Sequence, residues 1–158
     1  MAETAQQDNG QQFKIEKVYL KDASFESPGT PGLFIGNQAW KPQMDLQLNS
    51  EGRKINDNVY EVVLTITLTA KQEEKTAYLI ELKQAGIFTI TGVEPAALGN
   101  VLGAFCPNIL FPFAREAISE LAVKGGFPQI LLDPINFDAL YAQHLEQQKA
   151  SENKETIQ

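Results

Sequence analysis

The chain of 158 residues has one cysteine and one histidine, and these two shortages exclude several chemistries together. A lone Cys106 forms no disulfide within the chain, and Cys106 with His144 supplies too few ligands for a zinc site. The pair would act as nucleophile and base only with an orienting carboxylate beside them. Cys106 instead lies in a proline-flanked apolar run, the usual setting of an inert buried thiol, and His144 lies near a polar helix end. A glycine-rich phosphate loop is also missing. Gly99 and Gly103, four apart on a helical pattern, suit close helix packing better than ligand cradling. Carboxylates at Asp57, Glu73 and Glu74 fall in turn-like sequence and read as solvated. The first ten residues have neither the basic nor the apolar region of a signal peptide, and no apolar run reaches the roughly 18 residues that cross a bilayer. Positive charge is scarce as well. Thirteen Lys and Arg against 20 Asp and Glu leave a net charge of −7, which argues against a nucleic-acid surface. The expectation is a soluble, cytoplasmic protein that is not an enzyme, holds no metal or cofactor, and does not insert into membranes.

What is present is an ordinary globular composition, 43% hydrophobic, sufficient for one domain with its own core. Residues 1–12 and 146–158 are polar and have little to bury, so they are expected to be disordered tails around a single domain over 13–145. Within it, strand patterns precede helix patterns, which predicts an α+β fold. Val62, Leu64, Ile66 and Leu68 alternate with Val63, Thr65, Thr67 and Thr69, the period of a half-buried strand. After a charged connection at 71–75, Tyr78, Ile80 and Leu82 alternate with Leu79, Glu81 and Lys83. A shorter strand is readable at 44–48. In the first strand, 13–25, Phe13 and Ile15 share one parity and Val18 and Leu20 the other; a bulge near Lys17 or a strand apolar on both faces would account for this. Residues 27–40 form a Pro/Gly loop that carries Leu33, Phe34, Ile35 and the only tryptophan, Trp40, so it must pack against something. A helix opens at Glu94-Pro95 and is expected to break or kink at Cys106-Pro107. A second runs over 108–124 to a stop at Gly125-Gly126, and a third begins near Asn136 after an apolar connector at 127–132.

The apolar surplus in the loop, the connector and the first strand exceeds what a four-stranded, helix-covered core needs. Burial between identical copies and a groove for extended chains are the two readings. The run from Leu102 to Glu116, with Cys106-Pro107-Asn108-Ile109-Leu110-Phe111-Pro112 at its heart, closely resembles the corresponding run of the SecB family of bacterial protein-export chaperones. Segments 19–26, 59–64, 86–88 and 134–140 resemble that family in the same order, so the resemblance covers roughly residues 13–145. It implies a four-stranded antiparallel sheet packed against C-terminal helices, with residues 27–40 as a crossover loop. It further implies a homotetramer, built as a dimer of dimers, that holds unfolded precursor proteins without ATP and delivers them to the motor SecA.

Roles follow from the same resemblance. Phe34, Trp40, Phe88, Ile130, Leu132 and Tyr141 are the candidates for the client groove. Leu79 and Glu81, with Asp22 and Glu26, match the family's docking surface for SecA, on the sheet face away from the helices. Ile80, Leu82 and Gln84 fall on the face the resemblance assigns to assembly and the groove. Arg115-Glu116 reads as an interface or intrahelical charge arrangement. Two rival functions are a SecB-like chaperone dedicated to one toxin–antitoxin client and, from a different class, an oligomeric small-molecule binder or an unrecognised enzyme. A narrow client range would mark the first; a defined ligand that raises the melting temperature without affecting aggregation would mark the second.

Overall fold

A computed structural model describes residues 10–156. Four antiparallel strands form one sheet: β1 (Gln12–Glu26), β2 (Gln43–Asn56), β3 (Val59–Gln72) and β4 (Lys75–Thr91), in the spatial order β1-β4-β3-β2. Hairpins join β2 to β3 and β3 to β4, whereas β1 and β2 occupy opposite edges. The link between those edges therefore has to cross the whole sheet. It does so at the β3–β4 hairpin end, as the expected crossover loop, and includes one helical turn, α1 (Gly32–Ile35). The hairpin at Glu73 and Glu74 holds both residues at positive φ, 51° and 66°, the geometry of a tight two-residue turn that non-glycine side chains adopt at a cost.

Both strand alternations read from the sequence hold. Val62, Leu64, Ile66 and Leu68 are fully buried under the helices, and Val63, Thr65, Thr67 and Thr69 lie on the opposite face, half-covered. The phase slip in β1 is a pair of bulges. Its register against β4 shifts between Ile15 and Lys17 and again between Leu20 and Asp22. Each extra residue restores the parity, so that Phe13, Ile15, Val18, Leu20, Ala23 and Phe25 all sit opposite helix-facing positions of β4. Only the first bulge was legible in the sequence. β2 also runs well beyond the expected 44–48, because its polar second half pairs by backbone to β3 as far as Asn56.

The helices depart from expectation. Of the break or kink expected at Cys106-Pro107, the break does not occur, and the chain runs on through α2 (Pro95–Asn100), a π-helical turn (Val101–Phe105) and α3 (Cys106–Lys124). The N–H of Cys106 reaches back to the Val101 carbonyl, and this wider turn gives the ring of Pro107 room without ending the helix. The result, Pro95–Lys124, is long and apolar enough by length and composition to cross a membrane, which the sequence reading had excluded. Its inner face packs on β3 and β4 through Leu110, Phe111, Ala114, Ile118 and Ala122. Gly126, at φ +89°, ends α3 as expected. Helix α4 (Phe137–Thr156) continues past the domain boundary placed at 145, so residues 146–156 are helical rather than a disordered tail. Their Glu, Gln, Lys and Ala favour helix, and they bury nothing. The tail expected at the N-terminus lies outside the described residues up to residue 9, and Gln12 already belongs to β1.

Ile80, Leu82 and Gln84 are a correction. They lie inside the subunit, between β4 and α3, at 0%, 1% and 5% exposure, and cannot meet a neighbouring copy directly. Replacing Leu82 by Arg places an unpaired charge in this core. Thermal unfolding should show a melting temperature lower by more than about 10 °C, or no cooperative transition.

Candidate functional site

Two cavities flank the helix-covered side of the sheet and share no lining residue. The first, of about 550 Å³, is built where the crossover loop meets the β3–β4 hairpin and the Gly125-Gly126 turn. Its wall is an aromatic cluster centred on Phe127, whose ring lies 4.8 Å from Tyr78, 5.2 Å from Trp40 and 5.2 Å from Phe34. Phe25 backs Tyr78 at 5.8 Å. The loop is held by side chains that bond its backbone. Gln72, nearly buried, donates from Nε2 to the Ala39 carbonyl at 2.8 Å and accepts at Oε1 from the Lys41 amide at 3.0 Å. These two bonds straddle Trp40 and fix its ring on Tyr78. Ser27 donates to the Ala77 carbonyl at 2.8 Å, which pins the loop's other end. Phe34 remains 51% exposed and Ile35 77%, so the cluster is open on its outer side.

The second cavity, of about 540 Å³, lies between β2, the π-helical turn and α4. Leu46, Leu48, Leu102, Leu140 and Tyr141 give it an apolar wall. Tyr141 sits over a notch made by Gly99 and Gly103. A Cβ added at Gly103 would come within 2.4 Å of its ring, and one at Gly99 within 2.6 Å of its hydroxyl. Close helix packing is thus the use of these glycines, as their spacing suggested. Ser50 Oγ, buried at the floor, has no hydrogen-bond partner among the described residues.

The six groove candidates do not form one site. Phe34 and Trp40 line the first cavity and Tyr141 the second. Phe88 is fully buried and packs against Phe13 at 5.6 Å, so it is a core residue and not a client contact. Leu132 is 9% exposed and Ile130 packs against the core; neither lines either of these two cavities. Sequence reasoning left Phe127 out of the groove, although a phenylalanine trapped between Gly126 and Pro128 after a helix stop was the available signal. Among the described residues Arg115 makes no ion pair with a carboxylate, and its partners are the connector backbone and a ring on its own helix. Its Nε donates to the Leu132 carbonyl at 2.9 Å and its guanidinium lies 4.8 Å over the Phe111 ring, which ties the connector to α3. Cys106 is buried, and that burial pushes its thiol up to about 12, as befits an inert group.

No helix among the described residues covers the other sheet face. Glu26 pairs with Leu79, Ser24 with Glu81 and Asp22 with Lys83, so Asp22, Glu26, Leu79 and Glu81 do share this face. Farther along it Glu61, 5% exposed, gathers partners from both sheet edges: the Tyr19 hydroxyl, Lys21 Nζ at 3.0 Å and Arg53 Nε at 2.9 Å. Tyr19 reaches across β4 because the residue paired with it there is Ala85. The Tyr19 bond, opposed by burial and aided by Lys21 and Arg53, holds the Glu61 carboxyl down at about 2; burial, then Glu61 itself, pushes the Tyr19 phenol up to about 12.

The family model described as preprotein translocase subunit SecB matches residues 6–148. A protein-export protein SecB of Hahella chejuensis is 52% identical over 96% of this chain and 94% of its own length. Those of Nitrosococcus oceani and Legionella pneumophila are each 51% identical, over 94% and 96% of this chain and 91% and 93% of theirs. Among solved structures, a Mycobacterium tuberculosis SecB-like chaperone in complex with an antitoxin peptide aligns with a TM-score of 0.63 over 78% of this chain and 90% of that one, at 14% identity, which is a likeness of fold.

The Glu61 cluster sets a pH window for stability. A carboxyl lowered in the folded state stabilises above its ordinary value near 4.5, and that contribution is lost as pH falls from there toward 2. A phenol raised in the folded state opposes unfolding less as pH climbs from 10 toward 12. Glu61→Gln should therefore cost about 2 kcal/mol in chemical denaturation at pH 7, and the gap to the parent protein should shrink between pH 4.5 and 2.

Proposed function

Because the chain belongs to the SecB family, we infer that it is a protein-export chaperone, a holdase that binds unfolded precursor proteins without ATP and passes them to SecA in the cytoplasm. The observation that carries this reading is the separation of two kinds of surface by one sheet. Open apolar cavities lie on the helix side, and carboxylates with no ion-pair partner among the described residues lie on the bare side. Each cavity has room for large side chains, and together they offer separated footholds to one extended chain. Weak contacts at several such footholds, multiplied by copies in an assembly, add through effective concentration without selecting a sequence. That suits a broad client range, and the 52% identical relatives named for export favour it over a chaperone dedicated to an antitoxin. The exposed carboxylates of Asp22, Glu26 and Glu81 suit a basic segment of SecA.

Assembly as a dimer of dimers would use apolar surface other than that first assigned. Helix α3 packs on β4 and β3, and the helix-side face of β1 is covered in part, by Phe105 against Phe13 at one end and Phe127 against Phe25 at the other. Leu20 and Ile15 on that strand are 52% and 45% exposed, and Phe105, Phe113 and Val123 on the helical run beside it are 48%, 50% and 53% exposed. An apolar surface of this extent on a chain with net charge −7 is best covered by another copy.

Two measurements check this. Phe34→Ala and Trp40→Ala should each weaken binding of an unfolded precursor by about fivefold or more, with native mass unchanged. Native mass of the parent protein should be about four times 17.5 kDa at micromolar concentration, and Phe113→Glu should lower it while leaving the circular dichroism spectrum intact.

A further inference from the structure

The bare sheet face carries both signs of charge, yet they are sorted along it. Toward one end stand Asp22, Glu26 and Glu81, exposed and with no ion-pair partner within 4 Å among the described residues. Toward the other end the nearly buried Glu61 engages Lys21 and Arg53 together. Lys21 is the residue directly before Asp22. It is also the residue inserted by the second bulge of β1, which turns its side chain onto the same face as Asp22 instead of the helix side. Its ammonium group therefore has two carboxylates within reach of one flexible stem. It is on Glu61, bonding both oxygens at 3.0 Å. Glu61 wins because it is fixed by the Tyr19 hydroxyl and Arg53 and is nearly dry, whereas Asp22 is exposed and screened by water.

We propose that Glu61 is a positioning residue for partner docking: by holding Lys21 and Arg53 it keeps the carboxylates of Asp22, Glu26 and Glu81 free for a basic segment of the partner. This rests on the reading of that face as the SecA surface. Glu61 need not touch the partner. Its effect is to prevent the chain's own lysine from occupying the acidic end, and the β1 bulge is what creates the need. Lys83, across from Asp22 and without an ion-pair partner among the described residues, is the cation that remains in competition there.

The test is titration of purified SecA against full-length variants by isothermal calorimetry. Glu61→Gln should weaken SecA binding by about fivefold, and the double change Glu61→Gln with Lys21→Gln should recover most of that loss. A role confined to holding the sheet would not be rescued by removing a second partner, so absence of recovery overturns the proposal, as does unchanged binding in Glu61→Gln. If Glu61→Gln fails to fold, the comparison of two single variants decides. Lys83→Gln should tighten SecA binding more than Lys21→Gln does, because Lys21 is already withdrawn; equal gains overturn the proposal. No SecA binding by the parent protein would instead defeat the docking reading itself.

Discussion

Everything in this molecule depends on the pleat of β4. The strand lies inside the sheet, paired on one side with β1 and on the other with β3. Its even positions, Tyr78 through Ile90, form the floor on which α3 rests, and its odd positions, Leu79, Glu81 and Lys83, face outward. A backbone that sends successive side chains to opposite faces cannot let one residue serve both surfaces. The apolar cavities and the acidic face are consequently segregated by covalent geometry rather than by distance along the surface. The two bulges of β1 maintain that segregation at the sheet edge, where a single-parity strand would have turned its apolar residues outward.

The helix side is organised by small residues that let large ones approach. Gly99 and Gly103 admit Tyr141, so that α4, which buries only Phe137 fully, still has a defined seat against the π-helical turn. Gly125 stands against the Phe25 ring, which a Cβ there would meet at 2.1 Å, and Gly126 lets the chain reverse so that Phe127 enters the aromatic cluster. Gln72 then ties the crossover loop across that cluster. The cavity walls are thus firmly held on the inside and open on the outside, a combination suited to side chains of many shapes.

Much of this was legible in the sequence, for a physical reason. Period-two patterns in β3 and β4 are strong because one face is buried throughout, and the antiparallel sheet with C-terminal helices followed from them and from the family resemblance. The misreadings cluster where local pattern and tertiary context disagree. Proline at 107 signals a break or a kink, and the irregularity takes the form of a π-helical turn, which has no local signature. Ile80, Leu82 and Gln84 were correctly placed on one face, and only the position of α3 shows that face to be interior. Phe34, Trp40, Phe88 and Tyr141 looked alike as large aromatics beside loops or helices. The fold puts one of them in the core and divides the others between two cavities. The Glu61 cluster was invisible because its members come from three strands and depend on a bulge.

The central claim is that client and motor occupy opposite faces of one sheet and do not compete. It is tested most directly by titrating SecA into the protein already saturated with an unfolded precursor, and separately into the free protein, at the same ionic strength. The account predicts a ternary complex with SecA affinity changed by no more than about twofold. Displacement of the precursor by SecA, or loss of SecA binding upon saturation, would contradict it.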